Sequence, residues 1–440
     1  VKKYDIPLVP GTDEAVNDID EAKKIAGEIG FPILIKASAG GGGKGMRIVE
    51  EENEFESQLK MAVSEAESSF GDGSVFIERY VKGPRHIEIQ VLADKHGNYR
   101  HLFERECSIQ RRHQKVIEEA PSAVLTDAKR EEMGQCAIDV AKSCDYVGAG
   151  TVEFLVDRDE NINFIEVNPR IQVEHTITEA ITGIDIVRSQ INISMGYPLS
   201  DQRILINGQE DIQKQGFAIQ CRVTTEDPQN NFQPDYGTLV AYRSASGMGI
   251  RLDAGSAFAG AVISPFFDSM LVKVTASGRT LPGTAQRLHR ALREFRIRGV
   301  KTNIGFLLNL LNNETFQAGE ATVNFIKNHP ELLEPPNWKD RGTKMLRYLG
   351  DIIVNGHSDV DEKPDRSKFT EAVVPSFNQK SDFPQGTRDK LSELGRDQFL
   401  AELKADRKIH YTDTTFRDAH QSLLATRMRS YDMIQVARSF

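Results

Sequence analysis

The sequence predicts an α+β protein built from antiparallel β-hairpins and amphipathic helices. Two hairpins are indicated where apolar residues alternate on both sides of short polar turns, DKHGN and DRDEN. Segments with apolar residues at helical spacing, polar N-caps and glycine stops predict the helices. After Gly216 the pattern changes to short strands, which predicts an antiparallel sheet packed beside the first unit: FAIQCRVTT, GTLVAYR, GIRLD and SMLVKVTASG.

Length and composition restrict the class of protein. The 440 residues allow two or three domains, and the hydrophobic share of 39% with a charged share of 27% is typical of a globular chain. A net charge of -9 argues against a nucleic-acid partner, because phosphate-binding proteins normally carry a basic excess. The four cysteines form no CxxC pair, so neither a zinc cluster nor a disulfide framework is expected.

The sequence also predicts where the protein acts. No apolar run approaches the roughly 20 residues that span a bilayer, and the start does not resemble a signal peptide. We therefore expect no membrane partner and an intracellular location, in a bacterial cytoplasm or a mitochondrial matrix. The chain opens partway through a helical pattern, VKKYDIP, and stops inside another, so we expect a fragment at both ends.

Helices and strands are expected in a definite order. Helices are predicted over residues 12–30, with Thr12 or Asp18 as N-cap, and over residues 51–70, 126–144 and 174–195, then in TAQRLHRALREF and TNIGFLLNLL. FPILIKAS, MRIV and SVFIERYV are predicted strands. Residues 354–380 are polar and proline-rich, which predicts a linker before a charged helix over residues 387–406. The ending, IHYTDTTFRDAHQ, predicts a strand, a polar cluster and a helix, as at the start of a (β/α) barrel.

A glycine run lies between the first two predicted strands, in SAGGGGKGMRIV. Gly40, Gly42 and Gly45 match GxGxxG, but a dinucleotide site requires a helix after the glycines, and here a strand follows. The run is not a P-loop, because Gly45 follows Lys44 where Ser or Thr is required. We interpret it as a hairpin lid whose bare backbone closes over phosphate oxygens. A surface hairpin without function is the alternative.

We expect the reaction chemistry of the protein to depend on residues of the stretch INFIEVNPRIQVEH. If it is an extended strand, one face carries the side chains of Glu166, Asn168, Arg170, Gln172 and Glu174. These are two carboxylates, two amides and one guanidinium. We expect the hairpin around DRDEN to place Glu153 opposite Glu166. Since facing like charges are destabilising, a divalent cation between them is the natural explanation, and magnesium favours such oxygen ligands. A solvated polar sheet face is the alternative.

Charged residues elsewhere are less specific. The carboxylate of Glu78, in SVFIERYV, can accept from an adenine amino group. CSIQRRHQKVIEEAP concentrates Arg111, Arg112, His113 and Lys115, which predicts either a solvated loop or a site for an anionic substrate. Nothing local distinguishes Arg251 from an ordinary surface arginine.

Four ordered motifs together resemble the biotin carboxylase component of biotin-dependent carboxylases, an ATP-grasp fold: KASAGGGGKGMR, GPRHIEIQVLAD, CSIQRRHQKVIEEAP and FIEVNPRIQVEHTITEAITGIDIV. The tail DTTFRDAHQSLLATRMR resembles the start of the carboxyltransferase barrel of the pyruvate carboxylase family. The resemblance implies an ATP-grasp domain over residues 1–200 that lacks its amino-terminal part, and a C-terminal antiparallel β subdomain over residues 201–334. A linker and partial allosteric and tetramerisation region would follow at 335–405, then the first strand and helix of a TIM-type barrel at 406–440.

The resemblance further implies ATP-dependent carboxylation of biotin by bicarbonate through carboxyphosphate. ATP would be bound by residues from four segments: Lys36, Gly40, Gly41, Gly42, Gly43, Lys44, Gly45, Glu78, His86, Gln110 and His113. Glu153, Glu166 and Asn168 would bind Mg²⁺ or Mn²⁺, and Lys115 would lie near the transferred phosphoryl group. Bicarbonate would be held by Arg170, Gln172 and the Val173 backbone, with Glu174 as general base. Arg251 would stabilise the biotin enolate.

In the tail, Asp418 would bind a second divalent metal and Gln421 would contact pyruvate. The resemblance also implies acetyl-CoA as an activator and a homotetramer of the full-length protein. The chain has no Met-Lys-Met biotin attachment motif, so biotin would be carried elsewhere, and a lysine of the missing subdomain that approaches ATP is absent. Two alternatives remain open: the biotin carboxylase subunit of an acyl-CoA carboxylase, and a noncatalytic ATP-binding assembly module.

Overall fold

The computed structural model of the chain describes residues 6–12, 14–16, 19–38, 45–255, 257–266, 268–335, 341–356, 385–418 and 430–437. It divides into two units. The first comprises Val1–Pro265, Ser269–Glu334 and Arg407–Tyr411, and the second comprises Phe266–Asp268, Pro335–Asp406 and Thr412–Phe440. No helix of the described ranges is long and apolar enough to cross a membrane.

The strands of the described residues, in chain order, are β1 (Ile33–Ala37), β2 (Met46–Val49), β3 (Val75–Arg79), β4 (Arg85–Ala93), β5 (Tyr99–Arg111), β6 (Gln114–Ala120), β7 (Gly148–Val156), β8 (Ile162–Asn168), β9 (Phe217–Thr224), β10 (Glu226–Asp227), β11 (Gln233–Pro234), β12 (Gly237–Thr238), β13 (Ala241–Arg243), β14 (Ile250–Ala254), β15 (Val262–Ile263), β16 (Met270–Gly278) and β17 (Arg296–Arg298). The α-helices are α1 (Ile19–Ile29), α2 (Phe55–Phe70), α3 (Asp127–Ser143), α4 (His175–Thr182), α5 (Ile186–Ser194), α6 (Leu281–Glu294), α7 (Ile304–Leu311), α8 (Glu314–Gln317), α9 (Phe325–Asn328), α10 (Arg341–Asn355), α11 (Thr387–Ala405), α12 (Thr415–Asp418) and α13 (Ser430–Val436).

A small antiparallel sheet in the order β2-β1-β3 follows the prediction for the glycine-run region. Ile33 and Ile35 of β1 and Ile77 of β3 are buried on one face, where Phe55 of α2 covers them. The chain before α1 pairs with this sheet through Val16 and Val75. The two strands flanking the glycines are thus paired as a hairpin.

The central feature is an eight-stranded antiparallel sheet in the order β14-β16-β9-β6-β5-β4-β7-β8. The expectation of a second sheet beside the first is therefore wrong for β9, β14 and β16. These strands extend the first sheet, because β9 pairs with β6 in the register Ile117↔Cys221. An unpaired edge of β6 would leave backbone donors and acceptors unsatisfied, and β9 supplies their partners.

The two faces of this sheet differ in polarity. On β4, Ile87, Ile89 and Val91 point to one face, where α3 packs against them. Because side chains alternate along a strand, Glu88 and Gln90 point to the opposite face. That face, although polar, is also buried, with both side chains fully covered.

The cation-rich segment is a hairpin, not the solvated loop that one interpretation predicted. β5 runs to Arg111, β6 starts at Gln114, and the turn consists of Arg112 and His113 with φ of 50° and 64°. Two residues with positive φ are typical of a type I′ turn, whose twist matches that of the flanking strands. The hairpin places Lys115 on a strand of the central sheet.

Two helix predictions need correction. The helix expected over residues 174–195 is two helices, because Gly183 ends α4 in the left-handed region and Asp185 caps α5 by accepting from the Arg188 backbone N–H. The first helix begins at Ile19, so Thr12 is not its N-cap. Thr12 instead accepts a hydrogen bond from the Ile77 backbone N–H. Gly30, with φ of 80°, follows the last residue of α1 as predicted.

The second unit contains α10, α11, α12 and α13. α11 confirms the predicted charged helix, with Gly395 at a kink inside it. The strand predicted in IHYTDTTFRDAHQ is wrong, since residues 409–414 have no regular structure. A barrel strand is stabilised by pairing with parallel neighbours, and none of the described strands pairs with this segment. Most of the predicted linker, residues 357–384, lies outside the described residues.

Candidate active site

Charged side chains form a buried row on the polar face of the central sheet. Glu88 of β4 pairs with Arg105 of β5 on one side and with Glu153 of β7 on the other. Relative exposures are 0% for Glu88 and Arg105 and 6% for Glu153. Buried charges are costly unless paired and hydrogen-bonded, so this row requires opposite charges within contact distance.

Lys115 of β6 supplies one such charge at the centre of the site. Its Nζ lies 2.5 Å from Glu88 Oε2, 3.1 Å from Glu153 Oε1 and 2.6 Å from Glu174 Oε1. Burial alone would lower the pKa of Lys115, but the three carboxylates raise it well above its ordinary value, with Glu174 contributing most. Lys115 is therefore a fixed ammonium shared by three acids.

The predicted opposition of Glu153 and Glu166 is present. The two residues are direct partners in the β7–β8 pair because of a β-bulge: Phe154 pairs with Phe164, and the register then shifts by one residue so that Glu153 pairs with Glu166. Asn168 Nδ2 donates to Glu153 Oε1 at 3.0 Å and lies 3.5 Å from Glu166 Oε1. Burial alone would raise the pKa of Glu153, but the His86 ring at 2.8 Å and the Lys115 charge hold it well below its usual value. The two carboxylates supply oxygen donors that suit Mg²⁺ or Mn²⁺, whereas the Asn168 amide presents its Nδ2 to them and its Oδ1 accepts from Arg170.

Glu153 also belongs to a second group that could bind a metal. Ligand atoms of His86, Glu88 and Glu153 lie within 4.8 Å of one another, as do those of Glu88, Cys107 and Glu174. Glu88, Glu153 and Glu174 all have the Lys115 ammonium as a counter-ion, so only Glu166 of the facing pair lacks one. The Glu153–Glu166 pair is therefore the better place for a divalent cation, because Glu166 is exposed and forms no ion pair among the described residues.

The single continuous strand face expected for INFIEVNPRIQVEH is wrong beyond Asn168. β8 ends there, Pro169 has no backbone N–H to continue the ladder, and the Arg170 N–H donates to the Asn168 carbonyl. Glu174 precedes the first residue of α4. The residues after Asn168 reach the site through this turn.

Gln172 and Glu174 both turn into the buried cluster. Gln172 Nε2 donates to Glu153 Oε1 at 2.9 Å, and Glu174 contacts Lys115 through Oε1 and Arg222 through Oε2, at 3.3 Å. Burial by itself would raise the pKa of Glu174, but Lys115, Arg222 and Arg105 lower it strongly. Glu174 is therefore an ionised acceptor.

The other two predicted bicarbonate groups lie next to the cluster. The Arg170 guanidinium donates to Asn168 Oδ1 at 3.3 Å and to the Ile171 carbonyl at 3.1 Å. The Val173 carbonyl accepts from Lys273 Nζ at 3.1 Å. Arg170 thus contacts Asn168, one of the proposed metal residues, while the Val173 carbonyl is hydrogen-bonded to Lys273 of β16.

Predicted ATP residues fall into separate groups. On the small sheet, Lys36 Nζ and Glu78 Oε2 form an ion pair at 2.5 Å. His86 lies against Glu153, whereas Gln110 Nε2 donates to the Cys107 carbonyl at 2.9 Å. His113 is exposed at the tip of the β5–β6 hairpin. Residues 40–44, which include Gly40, Gly41, Gly42, Gly43 and Lys44, lie outside the described residues, and Gly45 has a positive φ of 74°.

Arg251 on β14 is held by two acids. Its Nε and Nη2 donate to Asp253 at 2.9 Å each, and its Nη1 contacts Glu179 Oε2 of α4 at 2.5 Å. The relative exposure of the Arg251 side chain is 42%. The two hydrogen bonds to Asp253 orient the Arg251 guanidinium, which remains partly exposed to solvent. In the tail, Asp418 ends the short helix α12 of the second unit, and Gln421 lies outside the described residues.

Sequence reasoning missed four charged residues of the cluster. Glu88, Arg105 and Glu118 are fully buried, and Arg222 Nη2 lies 2.7 Å from Glu118 Oε1. The signal for Glu88 was present: His86, Glu88 and Gln90 alternate with isoleucines in HIEIQ, so a central strand has one polar face. Nothing local marked Arg105 or Arg222 as buried.

Comparisons with known proteins identify the family to which this fold belongs. Residues 1–202 match the family model "Carbamoyl-phosphate synthase L chain, ATP binding domain", and residues 220–328 match "Biotin carboxylase C-terminal domain". The structure resembles the biotin carboxylase domain of Hydrogenobacter thermophilus 2-oxoglutarate carboxylase, solved with MgADP, ADP and bicarbonate. That similarity has a TM-score of 0.71 and 44% identity, over 76% of this chain and 72% of that chain. The chain therefore belongs to the biotin carboxylase family.

Within that family the chain belongs with the pyruvate carboxylases. It is 51% identical to the Staphylococcus aureus pyruvate carboxylase over 99% of its own length and 38% of that protein. It also resembles Rhizobium etli pyruvate carboxylase, solved with the allosteric activator acetyl coenzyme A, with a TM-score of 0.75 and 46% identity. That match covers 100% of this chain and 38% of the other. The chain thus spans well under half the length of these relatives.

Proposed function

We propose that this chain carries the biotin carboxylase half-reaction of a pyruvate carboxylase. In this reaction the terminal phosphoryl group of ATP passes to a bicarbonate oxygen, giving ADP and carboxyphosphate. Carboxyphosphate then breaks down to phosphate and carbon dioxide, and the N1 of biotin loses its proton and bonds to that carbon. The relatives that match the chain nearly end to end are pyruvate carboxylases, which supports this assignment.

The observation that carries the proposal is the position of Lys115. A protonated amine held by Glu88, Glu153 and Glu174 lies where the proposed metal residues and the proposed bicarbonate residues meet. Phosphoryl transfer depends mainly on positioning and on neutralising the charge of the phosphoryl oxygens. Lys115 supplies a fixed positive charge for that purpose, and the acids keep it protonated.

ATP and the divalent ion would be bound by groups on both sheets. Glu153, Glu166 and Asn168 would bind Mg²⁺ or Mn²⁺, which would neutralise phosphate charge. Lys36 and the residues from Gly40 to Gly45 would bind phosphate oxygens, and the Glu78 carboxylate would accept a hydrogen bond from the adenine amino group. The ion pair between Lys36 and Glu78 shows that these two side chains lie together on the small sheet. His86, Gln110 and His113 would complete the nucleotide site.

Bicarbonate would lie between a cation and a base. Arg170, Gln172 and the Val173 backbone would hold the anion, and Glu174 would accept its proton. Glu174 is close enough to Lys115 for one anion to contact both. Arg251, held by Asp253 and Glu179, would stabilise the biotin enolate.

The rest of the reaction belongs to a longer protein. We propose that residues 1–200 and 201–334 form the ATP-grasp and C-terminal biotin carboxylase domains, that 335–405 are a linker and part of an allosteric and tetramerisation region, and that 406–440 begin a carboxyltransferase barrel. In that barrel Asp418 would bind a second divalent metal, and Gln421 would contact pyruvate. Biotin would arrive on another domain, and acetyl-CoA would activate a homotetramer. The Rhizobium etli similarity over the whole chain supports this arrangement.

The test is bicarbonate-dependent ATP cleavage by the full-length protein and its Lys115→Gln variant. We expect the substitution to lower turnover by roughly 100-fold or more, since it removes a preorganised charge from the transition state. Lys142→Gln is the matched control, because Lys142 is an exposed lysine of α3 whose partner is Asp139. Bicarbonate-independent cleavage by the wild type, or full activity in Lys115→Gln, would refute the proposal.

A further inference from the structure

Arg105 is a fully buried arginine whose guanidinium has no direct place in the proposed chemistry. Its relative exposure is 0%. It donates to one carboxylate, two amide oxygens and two hydroxyls, at 2.5, 2.7, 2.7, 3.0 and 3.0 Å: Glu88 Oε1, Gln90 Oε1, Gln172 Oε1, Thr151 Oγ1 and Thr178 Oγ1. A guanidinium has five N–H donors, so every one of them is used. The acceptors come from β4, β7, α4 and the turn before α4.

The first consequence concerns the orientation of Gln172. Its Oε1 accepts from Arg105 at 2.7 Å, so its Nε2 faces Glu153 Oε1 at 2.9 Å. A reversed amide would place a donor against the guanidinium and an acceptor against a carboxylate, losing both hydrogen bonds. Arg105 therefore determines which end of the amide reaches the proposed metal and bicarbonate groups.

The second consequence concerns the position of Lys115. Glu88 Oε1 accepts from Arg105, and the other oxygen of the same carboxylate, Oε2, contacts Lys115 Nζ at 2.5 Å. Glu88 thus bridges the two cations. Because its side chain is fully buried, its carboxylate has no water to replace Arg105 as a partner.

We propose that Arg105 is a positioning residue that aligns Gln172 and Lys115 with respect to each other, and so sets the geometry in which bicarbonate meets the phosphoryl group. This inference rests on the proposed function. Arg105 acts through Gln172 and Glu88 and does not touch the substrate. A lysine in its place keeps the charge but has three donors on one nitrogen, so it can satisfy at most three of the five acceptors. It also lacks the separate nitrogens, Nε and Nη2, from which Arg105 reaches Glu88 and Gln172.

The test compares Arg105→Lys with Arg130→Lys in the full-length protein. Arg130 is a matched control, because it is also buried and donates to Glu104 at 2.8 and 2.9 Å, to Asp127 at 2.5 Å, and to the Ser122 and Leu125 carbonyls. It points away from Lys115, since Glu104 lies on the opposite face of β5 from Arg105. Both substitutions remove a buried guanidinium with several hydrogen bonds, but only the Arg105 guanidinium contacts residues of the proposed site.

We expect Arg105→Lys to raise the KM for bicarbonate by about tenfold or more and to lower kcat, because charge-assisted hydrogen bonds to Gln172 and Glu88 are lost. The Kd for ADP should stay within about twofold, since none of the five acceptors of Arg105 is among the residues proposed to bind ATP. Arg130→Lys should lower the melting temperature while leaving the KM for bicarbonate unchanged.

A milder variant tests the positioning role of Arg105 if Arg105→Lys does not fold. Thr178→Val removes one acceptor of Arg105 without changing shape, and we expect a rise of about threefold in the KM for bicarbonate. A wild-type KM in either variant that folds, or the same KM change in Arg130→Lys, overturns the positioning role. A wild-type protein without bicarbonate-dependent ATP cleavage would instead refute the proposed function, so the two failures are distinguishable.

Discussion

The ammonium of Lys115 lies 2.6 Å from Oε1 of Glu174, and this contact joins the proposed phosphoryl and bicarbonate ends of the site. Burial alone would raise the pKa of Glu174, but Lys115 and Arg222 lower it, so the carboxylate holds a proton weakly. A base of low pKa is inefficient near neutral pH. An anionic phosphate that draws Lys115 away would raise the pKa of Glu174. We therefore expect Glu174 to become a stronger base only when the phosphate chain is bound.

The first prediction concerns acid stability. The folded pKa of Glu174 and that of Glu153 are depressed below the ordinary value of 4.5. Their stabilising contribution is thus fully present above that value and is lost as the pH falls through the folded pKa. We expect the free energy of unfolding to decrease below about pH 4.5, and to decrease less steeply in Glu174→Gln.

Denaturant unfolding at a series of pH values measures this effect. Near neutral pH, Glu174→Gln should also be less stable by roughly 3 kcal/mol, because one member of a buried ion cluster has lost its charge. Glu132→Gln is the control, since Glu132 is an exposed acid of α3 paired with Lys129. An identical acid slope in wild type and Glu174→Gln would contradict the assigned pKa direction.

The second prediction concerns the divalent ion. Glu166→Gln should abolish metal-dependent ATP cleavage, because it removes one of two facing carboxylates. Glu166 is exposed, so the free energy of unfolding should change by no more than about 0.5 kcal/mol. Steady-state ATPase assays across a Mg²⁺ titration and thermal unfolding measure the two effects. Unchanged turnover in this variant would rule out Glu166 as a ligand.

The third prediction separates the two chemical steps. Arg251→Lys should lower biotin carboxylation by about 10- to 100-fold, because a lysine cannot reproduce the bidentate contact with Asp253. Bicarbonate-dependent ATP cleavage without biotin should be retained. Arg290→Lys is the control, as Arg290 is an exposed arginine paired with Glu294. Equal losses in both assays would show that Arg251 does not act on biotin.

The fourth prediction concerns a carboxylate outside the site. Glu119 faces Glu106 across β5 and β6, and its Oε2 has no hydrogen-bond partner among the described residues. Burial and the Glu106 charge raise the pKa of Glu119 well above 4.5. A raised folded pKa means that the folded state holds the proton more tightly, so stability is lost as the pH rises above the unfolded value.

Glu119→Gln should therefore stabilise the protein near neutral pH by about 1–3 kcal/mol and have little effect near pH 4. The contrasting variant is Glu106→Gln, which should give a smaller gain. Burial raises the pKa of Glu106 as well, but its carboxylate accepts from Ser122 at 2.8 Å and lies 3.6 Å from Arg85. Chemical unfolding at both pH values measures the difference. A loss of stability in Glu119→Gln at neutral pH would show that Glu119 is ionised and paired.

Local patterns predicted much of the fold and part of the candidate site. The sequence predicted that Glu153 faces Glu166, but symmetry about the turn does not explain it. A symmetric hairpin would place Glu153 opposite Ile165, and a β-bulge beside Phe154 shifts the register so that Glu166 faces Glu153. The β4–β5 hairpin and the stop at Gly30 were predicted from strand alternation, turn residues and a glycine stop, which are local properties. The break between α4 and α5 was also encoded locally, in Gly183 and Asp185, but the helical pattern on both sides concealed it.

By itself, the sequence determined the strand and turn chemistry and, through its motifs, the biotin carboxylase family. Only the tertiary structure decided that β9 extends the sheet at β6, that Lys115 meets Glu174 across 59 positions of chain, and that Arg105 orients Gln172. The physical reason is that strand periodicity depends on neighbouring residues. The pairing of buried charges instead depends on which distant strands and helices enclose them, because each must find its counter-ion away from water.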